Sequence, residues 1–132
     1  MILAIKTSQD PVEICLLNSD GKVVAEKKWR AERTLAKSLL SEIEQLFTKT
    51  EPIKSWKDLT GVIVFRGPGS FTGLRIGITT ANAVAYAQKI PIIGSSGTNW
   101  LDEGVEKLTN GQDDKIVLPE YGAPPHITVP KK

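Results

Sequence analysis

The feature that most restricts the fold of this 132-residue chain is an apolar strand that leads into a glycine-rich loop and a helix. Residues Leu59–Phe65 form a continuous run rich in β-branched side chains, which is typical of a central strand buried on both faces. The loop Arg66-Gly67-Pro68-Gly69-Ser70 follows, and a helix is predicted over Phe71–Gln88. This order indicates a β-loop-α unit, as in α/β folds with parallel strands.

Three shorter strands and a helix are predicted before this unit. The strands Ile2–Lys6, Val12–Leu17 and Lys22–Trp29 are separated by turn residues and predict an antiparallel meander. Apolar residues three and four positions apart then predict a first helix, with Thr34 at its N-cap and its end before Glu51-Pro52.

The remaining elements are shorter. A strand is predicted over Ile90–Gly94, followed by a helix that Ser95 or Ser96 caps and that ends near Leu108. Ile116–Leu118 is a candidate short strand, and the proline-rich residues from 119 onward are expected to form an extended tail. The order βββ-α-β-α-β-α predicts an α/β sheet with helices on its faces.

The glycine loop allows two interpretations. Free N–H groups at the start of a helix can bind a phosphate, which favours a phosphate or nucleotide site at Gly67–Thr72. However, the loop contains no lysine and its glycine spacing matches neither dinucleotide-binding loops nor the serine hydrolase turn. The alternative is a tight turn in which Ser70 or Thr72 caps the helix.

The helix after the loop carries a stripe of small residues, Gly73, Gly77, Ala81 and Ala85, at intervals of four. Two glycines inside a helix cost about 2 kcal/mol relative to alanine, so the stripe needs a compensating close contact. That contact is either with the chain's own first helix or sheet, or with a helix of a second protein.

Several function classes are disfavoured by the residues present. The net charge of +2 gives no electrostatic case for strong nucleic-acid binding. The single histidine, His126, lies in the proline-rich tail and is expected at the surface, while Cys15 lies within a strand and is expected in the core. No HExxH or CxxC metal motif occurs. The N-terminus shows no secretion signal, and Ile76–Ala87 is too short to span a bilayer.

Three segments carry a resemblance to a known family. Ile2-Leu3-Ala4-Ile5 with Thr7-Ser8, the string Arg66-Gly67-Pro68-Gly69-Ser70-Phe71-Thr72-Gly73-Leu74-Arg75-Ile76-Gly77, and Pro91–Ser96 match in order and spacing up to about residue 100. The tail from residue 119 is also similar to that family's C-terminal end. The chain therefore resembles the bacterial threonylcarbamoyladenosine biosynthesis protein family TsaB.

The resemblance implies an RNase H-like lobe of the actin/Hsp70/sugar-kinase type, with a mixed five-stranded sheet and helices on its faces. It also implies a non-catalytic scaffold. The residues themselves predict a cytoplasmic protein without a cofactor, and the missing base and metal ligands argue against a peptidase. Such a scaffold binds the paralogous catalytic subunit TsaD, in an assembly that includes the ATPase TsaE. The complex modifies adenosine 37 of tRNA, which the scaffold itself contacts only indirectly.

The partner interface implied by the resemblance is formed by the helices predicted over residues 34–48 and 71–88, which pack in a helical bundle. The residues expected there are Arg33, Leu39, Ile43, Gly69, Ser70, Phe71, Thr72, Gly73, Arg75, Gly77, Thr80 and Ala81. A homodimer through the same helices would compete with the partner. No catalytic or metal-binding residue is expected.

Three departures from the family pattern stand out. Lys6 replaces the usual Asp, which argues against Mg–ATP binding by this lobe. The stretch Arg33-Thr34-Leu35-Ala36-Lys37 keeps only the Arg of the family's Arg-x-His-Ser-Glu pattern. The chain is also short, which predicts a lobe of residues 1–97 followed by a reduced helix and tail, residues 98–132. A stand-alone nucleotide- or phosphate-binding domain remains the alternative.

Overall fold

The computed structural model describes residues 1–50, 53, 55–69 and 71–120. Within them, five strands form one sheet in the order β3-β2-β1-β4-β5. The strands are β1 Ile2–Lys6, β2 Val12–Leu17, β3 Val23–Trp29, β4 Gly61–Phe65 and β5 Ile92–Ser95. Strands β1, β2 and β3 pair antiparallel, whereas β4 pairs parallel with both β1 and β5. The predicted mixed sheet and meander are confirmed.

In the described part of the chain, three α-helices cover this sheet, α1 Leu35–Thr48, α2 Phe71–Gln88 and α3 Trp100–Thr109. The first two lie side by side on one face, and α3 packs on the opposite face. There, a Cβ atom at Gly104 of α3 would lie 2.5 Å from Ile63 Cγ2 of β4, so the helix and the strand are in direct contact. The core between these layers includes Leu3, Leu39 and Leu74, which are almost fully buried.

The turn between β1 and β2 holds the starts of both long helices. The Asp10 carboxylate accepts hydrogen bonds from the N–H groups of Ala31 and Glu32, at 3.1 and 3.2 Å, just before α1. The Thr7 hydroxyl donates to the Gly73 carbonyl in the first turn of α2 at 2.7 Å. The N-terminal ends of α1 and α2 are therefore fixed relative to β1.

Two helix starts differ from the prediction. Ser95 ends β5 and its hydroxyl donates to the Trp100 carbonyl at 2.8 Å, so α3 begins at Trp100 with Asn99 at the N-cap. The prediction that Ser95 or Ser96 caps this helix is wrong. Thr34 does occupy the N-cap position of α1, but its hydroxyl donates to the Ala31 carbonyl and makes no capping hydrogen bond.

The segment after α3 also differs from the prediction. The candidate strand Ile116–Leu118 is not part of the sheet, since Val117 forms its main-chain hydrogen bonds with the Asn82 side chain. Trp100 and Val117 belong to the same core as the sheet, and the domain boundary at residue 97 stays a prediction. Residues 121–132, which include His126, lie outside the described residues. In the part that is described, no helix is long and apolar enough to cross a bilayer.

Candidate protein-interaction surface

Two neighbouring depressions lie between α1 and α2 on the surface of the molecule. They have volumes of about 370 and about 470 Å³ and share Thr79 and Thr80 in their lining, and together we call them the α1–α2 groove. Its lining residues are Ala36, Leu40, Glu44, Trp56, Phe71, Thr72, Arg75, Ile76, Thr79, Thr80, Ala83, Val84, Ala87 and Gln88. Because Ala36 lies beside Phe71, and Leu40 and Glu44 beside Ala83, the two helices run in the same direction.

The groove exposes more apolar surface than a solvated helix pair requires. The side chains of Phe71 and Leu40 are 56% and 49% exposed. The guanidinium carbon of Arg75 lies 5.3 Å from the centre of the Phe71 ring, which orients the aromatic ring at the groove entrance. An exposed apolar groove between helices is suited to receive an amphipathic helix of another protein.

The two ends of the groove differ in charge. Three cations, Arg33, Lys37 and Arg75, and one carboxylate, Glu32, are exposed near the N-terminal ends of the helices, where the aligned helix dipoles add positive potential. Toward the other end, the Glu44 carboxylate accepts a hydrogen bond from Trp56 Nε1 at 3.0 Å. A helix that docks here is therefore favoured when its acidic end faces Arg75.

The small-residue stripe, which is part of the predicted interface, does not face this groove. A Cβ atom at Gly77 would overlap the Thr7 hydroxyl, and Ala81 is fully buried, so the stripe packs on the chain's own sheet. Leu39 and Ile43 are also core residues, because they lie on the sheet-facing side of α1. These four residues are buried by the chain's own fold, and Gly73 is half-buried with its carbonyl bound to Thr7, so a partner contact through them stays a prediction.

The other predicted interface residues have mixed positions. Phe71, Thr72 and Arg75 are exposed groove residues, Thr80 is a half-buried one, and Arg33 is exposed just before α1. Gly69 instead packs against Ser8, and Ser70 lies outside the described residues. The sequence reasoning missed the groove residues Ala36, Leu40, Ile76, Thr79 and Ala83. A usable signal was present, because Phe71, Arg75, Thr79 and Ala83 recur every four residues, opposite the small stripe.

The glycine loop is packed on two sides. Gly67 has φ +126°, and the Glu120 carbonyl occupies the place where a Cβ atom would stand. A Cβ atom at Gly69 would overlap Ser8. These contacts explain why glycine is needed at both positions.

Comparisons with known proteins identify the family. The family model TsaD, tRNA N6-adenosine threonylcarbamoyltransferase, matches residues 23–110. The TsaB protein of Bacillus subtilis is 34% identical over 92% of this chain and 50% of its own length. The TsaB protein of Escherichia coli is 34% identical over 78% of this chain and 43% of its own length. The structure of YeaZ from Pseudomonas aeruginosa superposes with a TM-score of 0.64 at 27% identity, covering 72% of this chain and 43% of that one.

The chain is a TsaB-like member of the TsaD family. It spans about half the length of the curated relatives it matches. The match to YeaZ, together with the mixed sheet, confirms the predicted α/β lobe of the actin/Hsp70/sugar-kinase type. The curated TsaB relatives are named as threonylcarbamoyladenosine biosynthesis proteins.

Two positions of this TsaB-like chain bear on its chemistry. The Lys6 ammonium, where the family resemblance leads us to expect Asp, lies 4.7 Å from the centre of the Phe65 ring. The Cys15 thiol is buried, and its pKa rises from 9.0 to about 12, because of burial and then the nearby carboxylates of Glu26 and Glu13. A thiol with this pKa stays protonated and is a poor nucleophile. Within the described ranges, no three His, Cys, Asp or Glu side chains form a group suited to a metal ion.

Proposed function

We propose that this chain is a non-catalytic scaffold that binds a TsaD-like catalytic subunit through the α1–α2 groove. In this role it supports threonylcarbamoylation of adenosine 37 in tRNA, in the cytoplasm, with a TsaE-like ATPase in the assembly and with tRNA contacted through the partner. The observation that carries the proposal is the exposed apolar groove, with Phe71 at its entrance and Leu40 further along it, on a chain of this family.

The packing of α2 on the chain's own sheet supports this choice of surface. The inner side of α2 is fully used by the chain's own sheet, so its outer side is the one that α2 can offer to a partner. The close packing of Gly67 and Gly69 fixes the loop at the start of α2. A scaffold would therefore need these glycines even if the loop binds no phosphate. The protonated Cys15 thiol agrees with a role in which this chain performs no covalent chemistry.

The test is to mix the full chain with the TsaD-like protein of the same organism and to measure the complex by size-exclusion chromatography with light scattering. We expect a complex that Phe71→Ala weakens at least tenfold. Tyr86→Ala is the matched control, since Tyr86 is an aromatic residue of the same helix, 88% exposed and outside the groove lining. Both variants are expected to keep the helical circular dichroism of the unmodified chain.

Each contrary outcome has a defined meaning. Absence of a complex at tens of micromolar protein, or equal loss with both variants, contradicts the scaffold proposal. A homodimer that Phe71→Ala disrupts and that the TsaD-like protein dissociates would show that both associations use the groove, as the proposal expects. Saturable binding of ATP or ADP by the chain alone, without any complex, would favour the alternative of a nucleotide- or phosphate-binding domain.

A further inference from the structure

The segment that follows α3 is bound to the sheet by contacts of a kind seen between proteins and peptides. We call residues 113–120 the strap. It runs along β5, passes Asn82 of α2 and ends beside Arg66 after β4. It is joined to α3 by residues 110–112, all of which are exposed.

The strap is recognised through its main chain. Asn82 Oδ1 accepts from the Val117 N–H at 2.9 Å, and Asn82 Nδ2 donates to the Val117 carbonyl at 3.0 Å. Arg66 Nε donates to the Leu118 carbonyl at 3.1 Å, and the Glu120 N–H donates to the Arg66 carbonyl at 2.7 Å. Four main-chain groups of the strap are thus bound by two residues that lie far from it in the sequence, in the manner of extended-peptide recognition.

One side chain of the strap fits a recess that glycine leaves open. Val117 is 3% exposed, and a Cβ atom at Gly94 would lie 2.6 Å from Val117 Cγ1. Its neighbours Ile116 and Leu118 point outward and are 67% and 66% exposed. The recess therefore holds the side chain of Val117 and leaves those of Ile116 and Leu118 at the surface.

The start of the strap covers the outer edge of β5. The carboxylates of Asp113 and Asp114 accept hydrogen bonds from the N–H groups of Ile92 and Gly94, at 3.1 and 2.9 Å. The Asp114 N–H donates to the Ile92 carbonyl at 2.8 Å. These bonds satisfy edge groups that would otherwise be available to another strand.

We infer that Arg66, Gly67, Asn82, Ile92 and Gly94 form a peptide-binding slot, which the strap fills as an intramolecular ligand and through which it holds the glycine loop in place. The loop is linked to the ligand directly, because Glu120 bonds the Arg66 carbonyl and packs against Gly67. The contacts lie outside the α1–α2 groove, so the inference does not depend on the proposed function.

The test cuts the linker in the folded full chain. A protease recognition sequence is inserted between Gly111 and Gln112, where a Cβ atom at Gly111 would meet open space. After cleavage, we expect the C-terminal fragment, which contains Gln112 and all residues after it, to stay bound during gel filtration. Asn82→Ala should raise its dissociation rate at least tenfold, whereas Asn110→Ala, in the exposed linker, should leave that rate unchanged.

A second readout follows the glycine loop. In uncut Asn82→Ala protein, amide hydrogen exchange in the peptide covering residues 66–74 should accelerate about tenfold, with no change in β2. Val117→Asp, which alters the ligand rather than the sheet, should have the same two effects if Asn82→Ala proves too unstable to measure. Immediate loss of the fragment from the cut parent chain would overturn the inference. Retention of the fragment by Asn82→Ala and Val117→Asp as firmly as by Asn110→Ala would overturn it as well.

Discussion

The close approach of α2 to β1 makes Gly77→Ala a sharp test of the fold. Alanine in place of glycine inside a helix stabilises it by about 1 kcal/mol. Here, however, the new methyl group would overlap the Thr7 hydroxyl and lie 3.0 Å from Thr7 Cγ2. Overpacking of this kind costs about 1–3 kcal/mol. Displacing Thr7 would also break its hydrogen bond to the Gly73 carbonyl, for about 1 kcal/mol more. We expect a net destabilisation of about 1–3 kcal/mol.

A double-mutant cycle with Thr7→Ala isolates this contact. Thr7→Ala alone should cost about 1 kcal/mol through the lost hydrogen bond. In that background the nearest remaining neighbour of the new methyl group is the Cβ of residue 7, at 3.1 Å, so Gly77→Ala should become nearly neutral. Urea unfolding gives the four free energies, and Thr79→Ala on the exposed face provides a propensity control. If the two changes are additive within about 0.5 kcal/mol, the close-contact explanation is refuted.

Three further predictions address other parts of the molecule. Gly104→Ala should destabilise the fold by up to about 2 kcal/mol in urea unfolding, because the overpacking of its methyl group on Ile63 exceeds the gain in helix propensity; a raised midpoint would contradict the packing of α3. Cys15 should resist alkylation at pH 8 in the folded chain. Because folding raises its pKa from 9.0 to about 12, Cys15 should make the free energy of unfolding fall as pH rises through this interval, and Cys15→Val should make that fall shallower. Leu40→Glu should change stability by about 0.5 kcal/mol at most, yet weaken partner binding at least tenfold by calorimetry. Val24→Glu, on β3, should leave that binding unchanged.

The elements with strong local signals are those that the sequence predicts best. Helix α2 has the predicted bounds because the glycine loop marks its start and a helix-ending turn follows Gln88. The start of α3 was misplaced because a serine that follows a strand resembles a helix cap. Only the tertiary fold shows that the Ser95 hydroxyl reaches forward to the Trp100 carbonyl from inside the strand.

The candidate site shows what periodicity leaves undecided. A stripe of small residues predicts a close contact but not its direction, and here the sheet of the same chain supplies that contact through Thr7. The strap was missed for a related reason. Its bonds join Asn82 and Arg66 to residues 35 and 52 positions away, and such pairings leave no periodic pattern in the sequence.

The close packing of Gly77 on β1 leads to a prediction for binding as well as for stability. Gly77 lets α2 lie directly on Thr7, and we expect this close approach to determine where α2 holds Phe71 and Arg75 relative to α1. Gly77→Ala should therefore weaken partner binding although residue 77 is buried, and Thr7→Ala should restore binding in the double variant. By contrast, Thr79→Ala, on the exposed side of α2, should change partner affinity by the same amount whether residue 7 is threonine or alanine. If the double variant regains its free energy of unfolding but not its affinity for the partner, the position of α2 on the sheet does not determine binding at the groove.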